Sequence, residues 1–152
     1  MEHGCLFCRI VAGEVAATMV FEDDVSLAFL DHRPLFPGHC LLIPKKHYET
    51  LTDLPEDLIG PLFGNARSLA GAVEQAMGSE GSFVAINNRV SQSVPHLHVH
   101  IVPRHKGDGL KGFFWPRRKY ESDRQLSETA ARLRAFLESP SGAPSAKESK
   151  LI

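Results

Sequence analysis

Residues 95–104 read PHLHVHIVPR, which sets His96, His98 and His100 at alternate positions and fills the gaps with Leu97, Val99 and Ile101. Side chains alternate faces along a strand, so the three imidazoles share one side and the apolar residues the other. An amphipathic strand needs only a polar outer face, and serine, threonine or lysine would serve it as well, so a run of three histidines points to chemistry. Two chemistries fit. Histidines at i, i+2 and i+4 can all reach one zinc ion, as in three-histidine catalytic sites. Alternatively the central imidazole is a nucleophile, because neutral imidazole attacks phosphorus well and its ring can be oriented by backbone and neighbouring groups. Spacing alone does not choose between them.

A second group with chemical potential is Cys5-Leu6-Phe7-Cys8, which has the spacing of half a zinc site. Redox use of such a pair sets it before a helix in a βαβ unit, a pattern this stretch does not resemble. Cys40 lies within an apolar run and reads as a buried, inert thiol, while His3 and His105 read as surface residues. Three cysteines are too few for a disulfide framework and suit a reducing compartment. With no apolar run of about 18 residues and no basic-then-apolar leader, the expected location is the cytoplasm, away from membranes. A formal charge of −1 and a pI near 6.7 leave no basic excess, so no nucleic-acid partner is expected and any phosphate contact must be local.

The elements that must position these residues follow from pattern. A chain of 152 residues, 43% of them hydrophobic, supports one core without disulfide help. MVFEDDVSLAFLD (19–31) reads as a hairpin turning at Glu22-Asp23-Asp24, HCLLIP (39–44) as a third strand, GSFVAINN (81–88) as a fourth and HLHVHIVP (96–103) as a fifth. Leu58, Leu62, Ala66, Leu69, Val73 and Met77 recur at helical steps, although Gly60-Pro61 blurs where that helix begins. Leu126, Ala130, Leu133 and Leu137 mark a C-terminal helix after a charged, glycine-rich stretch that holds Phe113-Phe114-Trp115-Pro116. The expectation is one α+β domain over residues 1–138, followed by a tail at 139–152 with the composition of a disordered segment.

The segment His96-Leu97-His98-Val99-His100-Ile101-Val102 resembles the signature of the histidine-triad family of nucleotide hydrolases and transferases. CLFCRIVAGEV and FEDDVSLAFLDHRPLFPGHCLLIPKKHYETL resemble further family blocks in the same order, so the likeness runs over roughly residues 5–103. It implies a five-stranded antiparallel sheet carrying one main helix and a C-terminal helix, usually paired as a homodimer. It also implies that His98 attacks the α-phosphorus of a nucleoside phosphoanhydride or phosphoramidate, forms a nucleotidyl-histidine and releases a nucleoside monophosphate, with His100 and His39 as hydrogen-bond donors. Asp31 would take the ribose hydroxyls, Leu6, Phe7, Ile10, Phe29, Leu30 and His32 would enclose the base, and Asn87, Gln92 and Ser93 would reach phosphate or ribose. The loop NNRVSQSV is about two residues shorter than the usual one and carries Ser91 where the family has a glycine before the glutamine.

The zinc-containing branch of the family completes the cysteine pair with a histidine after the IPK strand and with the first triad histidine, which here are His47 and His96. Cys5, Cys8, His47 and His96 would hold a structural zinc. The expected partner is a purine nucleotide such as AMP or a dinucleoside polyphosphate. Two rival readings are a noncatalytic nucleotide-binding adaptor, which would not need His98, and a metal-dependent hydrolase with zinc on the whole triad. Arg104, Lys106, Lys111, Arg117 and Arg118 either receive a longer polyphosphate or line a solvated loop.

Overall fold

The computed structural model describes residues 4–110 and 118–138, and the chain divides into two compact units, Met1–Asp108 and Gly109–Ile152. The first unit carries strands β1 (Met19–Glu22), β2 (Ser26–Leu30), β3 (Cys40–Pro44), β4 (Gly81–Ile86) and β5 (Val99–Arg104), with helices α1 (Leu6–Val11) and α2 (Glu56–Met77). The strands form one sheet in the order β1-β2-β3-β5-β4, and every pairing is antiparallel. This is the five-stranded α+β arrangement expected above.

Each face of the sheet has its own core. On one, Leu62, Ala66, Leu69 and Val73 of α2 pack on Ala28, Leu42, Leu97, Val99 and Ile101. On the other, Phe7, Cys8 and Ile10 of α1 pack on Leu27, Phe29, Leu41 and Ile43. The registers Phe29↔Leu41, Leu41↔His100 and Ala85↔His100 put His100 on the α1 face. His96 and His98 lie there too, their rings 5.8 and 5.3 Å from that of Phe7. The division of faces therefore follows the alternation in the sequence, but the paired ladder begins only at Val99. Ahead of it, the His96 amide donates to Val94 O (2.8 Å) and the Leu97 amide to Tyr48 O (2.6 Å), so this stretch is held by loop carbonyls and not by a neighbouring strand.

Helix α2 starts at Glu56, five residues before Pro61, and so contains the proline that blurred its start. An interior proline costs about 3 kcal/mol relative to alanine, and here the buried stripe of four apolar residues offsets it. The helix stops at Gly78, which adopts a left-handed φ of 59° and lets Ser79 N–H reach Glu74 O at 3.0 Å. Helix α1 was not legible in the pattern, since six residues are too few to show a period.

The second unit contains α3 (Asp123–Glu138), the C-terminal helix marked by Leu126, Ala130, Leu133 and Leu137; none of its residues is buried. The aromatic cluster Phe113–Pro116 and the tail at 139–152 lie outside the described residues. Among the described residues, no helix is long and apolar enough to cross a membrane.

Candidate active site and metal centre

Cys5 caps α1, its Sγ accepting the Cys8 amide at 3.5 Å, and the first helical turn sets Cys8 on the same side. Cys5 Sγ lies 3.4 Å from His96 Nδ1, and Cys8 Sγ lies 3.4 Å from His47 Nδ1 and 3.6 Å from His96 Nδ1. A tetrahedral zinc with bonds of about 2.3 Å to sulfur and about 2.1 Å to nitrogen would hold sulfur and nitrogen about 3.6 Å apart. The donor set therefore fits such an ion. His96 Nε2–H donates to Pro44 O at 2.9 Å, which leaves Nδ1 unprotonated toward the two sulfurs. Burial pulls the His96 pKa down to about 4, keeping the ring in the neutral state a ligand requires. Cys5, Cys8, His47 and His96 could thus hold a metal in a closed set.

The remaining histidines are arranged differently. His98 Nδ1–H donates to the carbonyl of His96 at 2.7 Å, so its lone pair sits on Nε2. Leu35 N–H donates to His39 Nδ1 at 3.2 Å, and His39 Nε2 lies 3.0 Å from His100 Nδ1. His100 Nε2 is buried and has no hydrogen-bond partner among the described residues. Burial lowers the pKa of His98 and His39, and burial together with the neighbouring His98 and His39 lowers that of His100 to about 4. Near neutral pH all three rings are therefore uncharged. Asp31, His39 and His100 also bring one ligating atom each within 4.8 Å of one another, but both nitrogens of His39 are already engaged. With His96 aimed at the cysteines, the three triad rings do not converge on one point.

Asp31 has two attachments. Its Oδ1 accepts the Arg33 amide at 2.9 Å, which closes the turn after β2, while Oδ2 stands 3.8 Å from His39 Nδ1. Of the residues expected around a base, Phe7, Ile10 and Phe29 are core, with Phe7 and Phe29 edge to face at 5.5 Å. Leu6 (40% exposed), Leu30 (38%) and His32 are at the surface. Ser93 lines a cleft of about 440 Å³ with Leu6, Val94 and Cys5, the last of which touches His96. Gln92 is engaged within the protein: its carbonyl accepts the Arg89 amide (2.7 Å) and its NH₂ donates to Glu49 O (2.6 Å). Asn87 is half-buried, and its neighbour Asn88 accepts the Leu51 amide. Ser91 has φ 60° and Arg89 φ 64°, both left-handed. Cys40 is buried with its pKa raised by burial, His105 is exposed, and Arg104 is engaged by Asp108. Lys111 and Arg117 lie outside the described residues.

Three functional groups escape a reading by residue type because they are backbone atoms: the Pro44 and His96 carbonyls and the Leu35 amide. Any residue could supply the carbonyls, and any but proline the amide. Only the prolines on either side of Leu35-Phe36 hint that the geometry of this turn matters.

The chain is similar to known proteins. A family model for the HIT domain matches residues 12–107. An adenylylsulfatase of Arabidopsis thaliana is 36% identical over 112 residues, 72% of this chain and 57% of that protein. An adenosine 5'-monophosphoramidase of Schizosaccharomyces pombe is 36% identical over 114 residues, 74% of this chain and 83% of its own. The crystal structure of a zinc-bound histidine-triad protein from Mycobacterium smegmatis superposes with a TM-score of 0.67 at 34% identity, covering 87% of this chain and 96% of the other. The triad, the sheet that carries it and these matches agree: the chain belongs to the HIT-domain family.

Proposed function

We propose that the chain is a nucleotidyl hydrolase or transferase that cleaves a nucleoside phosphoanhydride or phosphoramidate through His98. The observation that carries this reading is the 2.7 Å bond from His98 Nδ1–H to the His96 carbonyl, which leaves Nε2 with its lone pair. Burial keeps that ring neutral, so the nucleophile is ready without a separate base. Nε2 attacks the α-phosphorus and the bond from phosphorus to the leaving group breaks, giving nucleotidyl-His98. His100 Nε2–H donates a hydrogen bond to the leaving group, which departs with the electrons of the broken bond and takes any proton it needs from solvent. Water then attacks the same phosphorus, the bond from phosphorus to His98 Nε2 breaks, the water's proton goes to solvent, and the nucleoside monophosphate leaves with His98 restored.

The names of two relatives support the substrate class, since both specify an adenosine nucleotide. Asp31 takes the ribose hydroxyls through the oxygen not bound to Arg33, and Leu6, Leu30 and His32 offer the exposed side of a base site over the buried Phe7, Ile10 and Phe29. Ser93 contacts phosphate from its cleft, with Asn87 nearby in the chain and Gln92 holding the loop in shape. Cys5, Cys8, His47 and His96 would hold zinc, which in a closed set supplies structure and no open coordination position. The chain pairs as a homodimer, a reading supported by β4, a sheet-edge strand with Val84 exposed; light scattering in solution tests it.

The mechanism is tested by alkaline quenching of enzyme with radiolabelled substrate and peptide mapping, which should place label on His98. Inversion at a chiral α-phosphorus would overturn it, because two displacements give retention.

A further inference from the structure

We infer that the backbone amide of Leu35 is a positioning group that decides which nitrogen of His100 carries the proton. The inference rests on the reading of His100 as a donor to the ligand, and it adds the feature that makes His100 one. An amide can only donate, so His39 Nδ1, 3.2 Å from Leu35 N, must accept and carries no hydrogen. The hydrogen of neutral His39 is then on Nε2, and it points at His100 Nδ1 3.0 Å away. Nδ1 of His100 must accept in turn, so the His100 hydrogen is on Nε2. That is the buried nitrogen left without a partner among the described residues.

The opposite polarity would place two N–H groups face to face at Leu35 and would leave His100 Nε2 as a lone pair, repelling a phosphoryl or bridging oxygen. Asp31 does not compete for the His39 proton, since its Oδ2 is 3.8 Å from Nδ1, beyond hydrogen-bond reach. His39 is only 3% exposed, so bulk water does not offer an alternative partner. The amide is itself fixed by the turn: Arg33 N–H bonds to Asp31 Oδ1 (2.9 Å), His39 N–H to Phe36 O (3.0 Å) and Asp31 N–H to His39 O (2.9 Å). Leu35 as a residue, by contrast, is 49% exposed. The turn is built to aim a backbone donor, and the identity of the side chain is incidental.

The test replaces Leu35 by its α-hydroxy analogue, leucic acid, so that an ester oxygen stands where the N–H was. Leu35→Ala, which keeps the amide, is the control, and a thermal melt confirms that each full-length, metal-loaded protein is folded. Two-bond nitrogen–hydrogen NMR on histidine-labelled protein reads the tautomers without any need for turnover. Wild type and Leu35→Ala should show His39 protonated at Nε2 and His100 at Nε2, whereas the ester should move both toward Nδ1–H. Its kcat should fall about tenfold or more with KM within about twofold, the effect of a misplaced hydrogen-bond donor and not of a lost pocket. Hydrogen on His39 Nδ1 in wild type, or unchanged tautomers in the ester, would overturn the inference. A tautomer change without loss of turnover would support the inference and remove His100 from the proposed reaction, so the two failures are separable.

Discussion

Five histidines of this chain lie on one face of one sheet and yet form two regions of opposite character. In the first, His47 and His96 join Cys5 and Cys8, and the lone pairs of His96 and of the sulfurs turn inward toward one another. In the second, His98 is bonded to the His96 carbonyl while His39 joins the Leu35 amide to His100, which leaves, among the described residues, a lone pair on His98 Nε2 and an unpartnered Nε2 on His100. The first region is closed and suits an ion. The second is open at two complementary atoms and suits a reacting phosphorus with its leaving group. The same side chain serves both roles because a single hydrogen bond to the other ring nitrogen decides which nitrogen is offered and in what state. His96 joins the regions, since its ring belongs to the first while its carbonyl orients His98 in the second.

The largest expected effect breaks the open region alone. His98→Ala removes the proposed nucleophile, and kcat should fall by about a thousandfold or more with substrate binding retained. Single-turnover kinetics and equilibrium binding of the nucleotide check both halves. Loss of binding in proportion to kcat would mean that His98 shapes the pocket instead of reacting. Metal content should be unchanged in this variant.

The next effect tests the link through His96. Cys8→Ser should take metal content from about one zinc per chain to near zero and lower the melting temperature by about 10 °C. Because the ring of His96 would lose one of its anchors, the carbonyl that holds His98 should loosen as well, and kcat should fall by about tenfold under conditions where the variant is still folded. Metal analysis, a thermal scan and turnover at low temperature supply the three readings. Full activity in folded, metal-free Cys8→Ser would show the two regions to be independent.

Acid should separate them further. The His100 pKa of about 4, set first by burial, lies below its ordinary 6.5, so between these values the unfolded chain binds a proton that the folded one refuses. The stability tied to the neutral ring is present above about pH 6.5 and is lost as the pH falls toward 4. His39 acts in the same direction, its pKa being lowered by burial. Melting temperatures from pH 7 to pH 5 should fall, and His100→Gln should flatten that slope while leaving metal content unchanged. An identical slope in the variant would assign the acid sensitivity to other groups.

Much of the placement behind this comparison was legible before any coordinates. Alternation from His96 to Ile101 sorted the histidines from the core residues, and it did so even though the first three residues of the run lie ahead of the paired strand, because an extended backbone alternates whether or not a neighbour pairs with it. What was not legible was set by backbone atoms or by distance. Gln92 reads as a substrate contact by position, but both ends of its side chain are bound to main-chain groups, one of them 43 residues away. Helix α1 is held by its Cys5 cap and the burial of Phe7, Cys8 and Ile10, none of which leaves a period in six residues. Phe7 and Phe29 show the same limit: an apolar residue beside a pocket and one in a core have the same composition, and only burial tells them apart.

A smaller effect concerns Asp31, whose two oxygens serve the turn and the proposed ligand separately. Asp31→Asn keeps an oxygen for the Arg33 amide and loses only the charge, whereas Asp31→Ala loses both. If the ribose is held here, kcat/KM for a ribonucleotide should drop by about tenfold in either variant and change little for a 2',3'-dideoxy substrate. Equal losses for both substrates, found in Asp31→Ala alone, would reduce Asp31 to its turn.

The smallest effect lies in the loop that leads into the triad. Ser91 stands where the family pattern has glycine, and the loss of a glycine could have re-aimed the backbone. Its φ of 60° lies in the left-handed region that glycine adopts without a side-chain penalty, with Arg89 in the same region two residues earlier. Holding a side chain there costs about 1 kcal/mol, partly balanced by the lower entropy of serine in the unfolded chain. The Gln92 side chain closes this turn onto Glu49 and Arg89, so the strain is held by two hydrogen bonds. Ser91→Gly should therefore stabilise the protein by about 0.5 kcal/mol and leave kcat within about twofold, since a φ of 60° is one that glycine adopts without strain. Gln92→Ala should do the reverse, destabilising the loop and raising KM more than it lowers kcat. Denaturant midpoints for the two variants decide the matter, and a Ser91→Gly protein less stable than wild type would mean that the serine side chain makes a contact worth more than its strain.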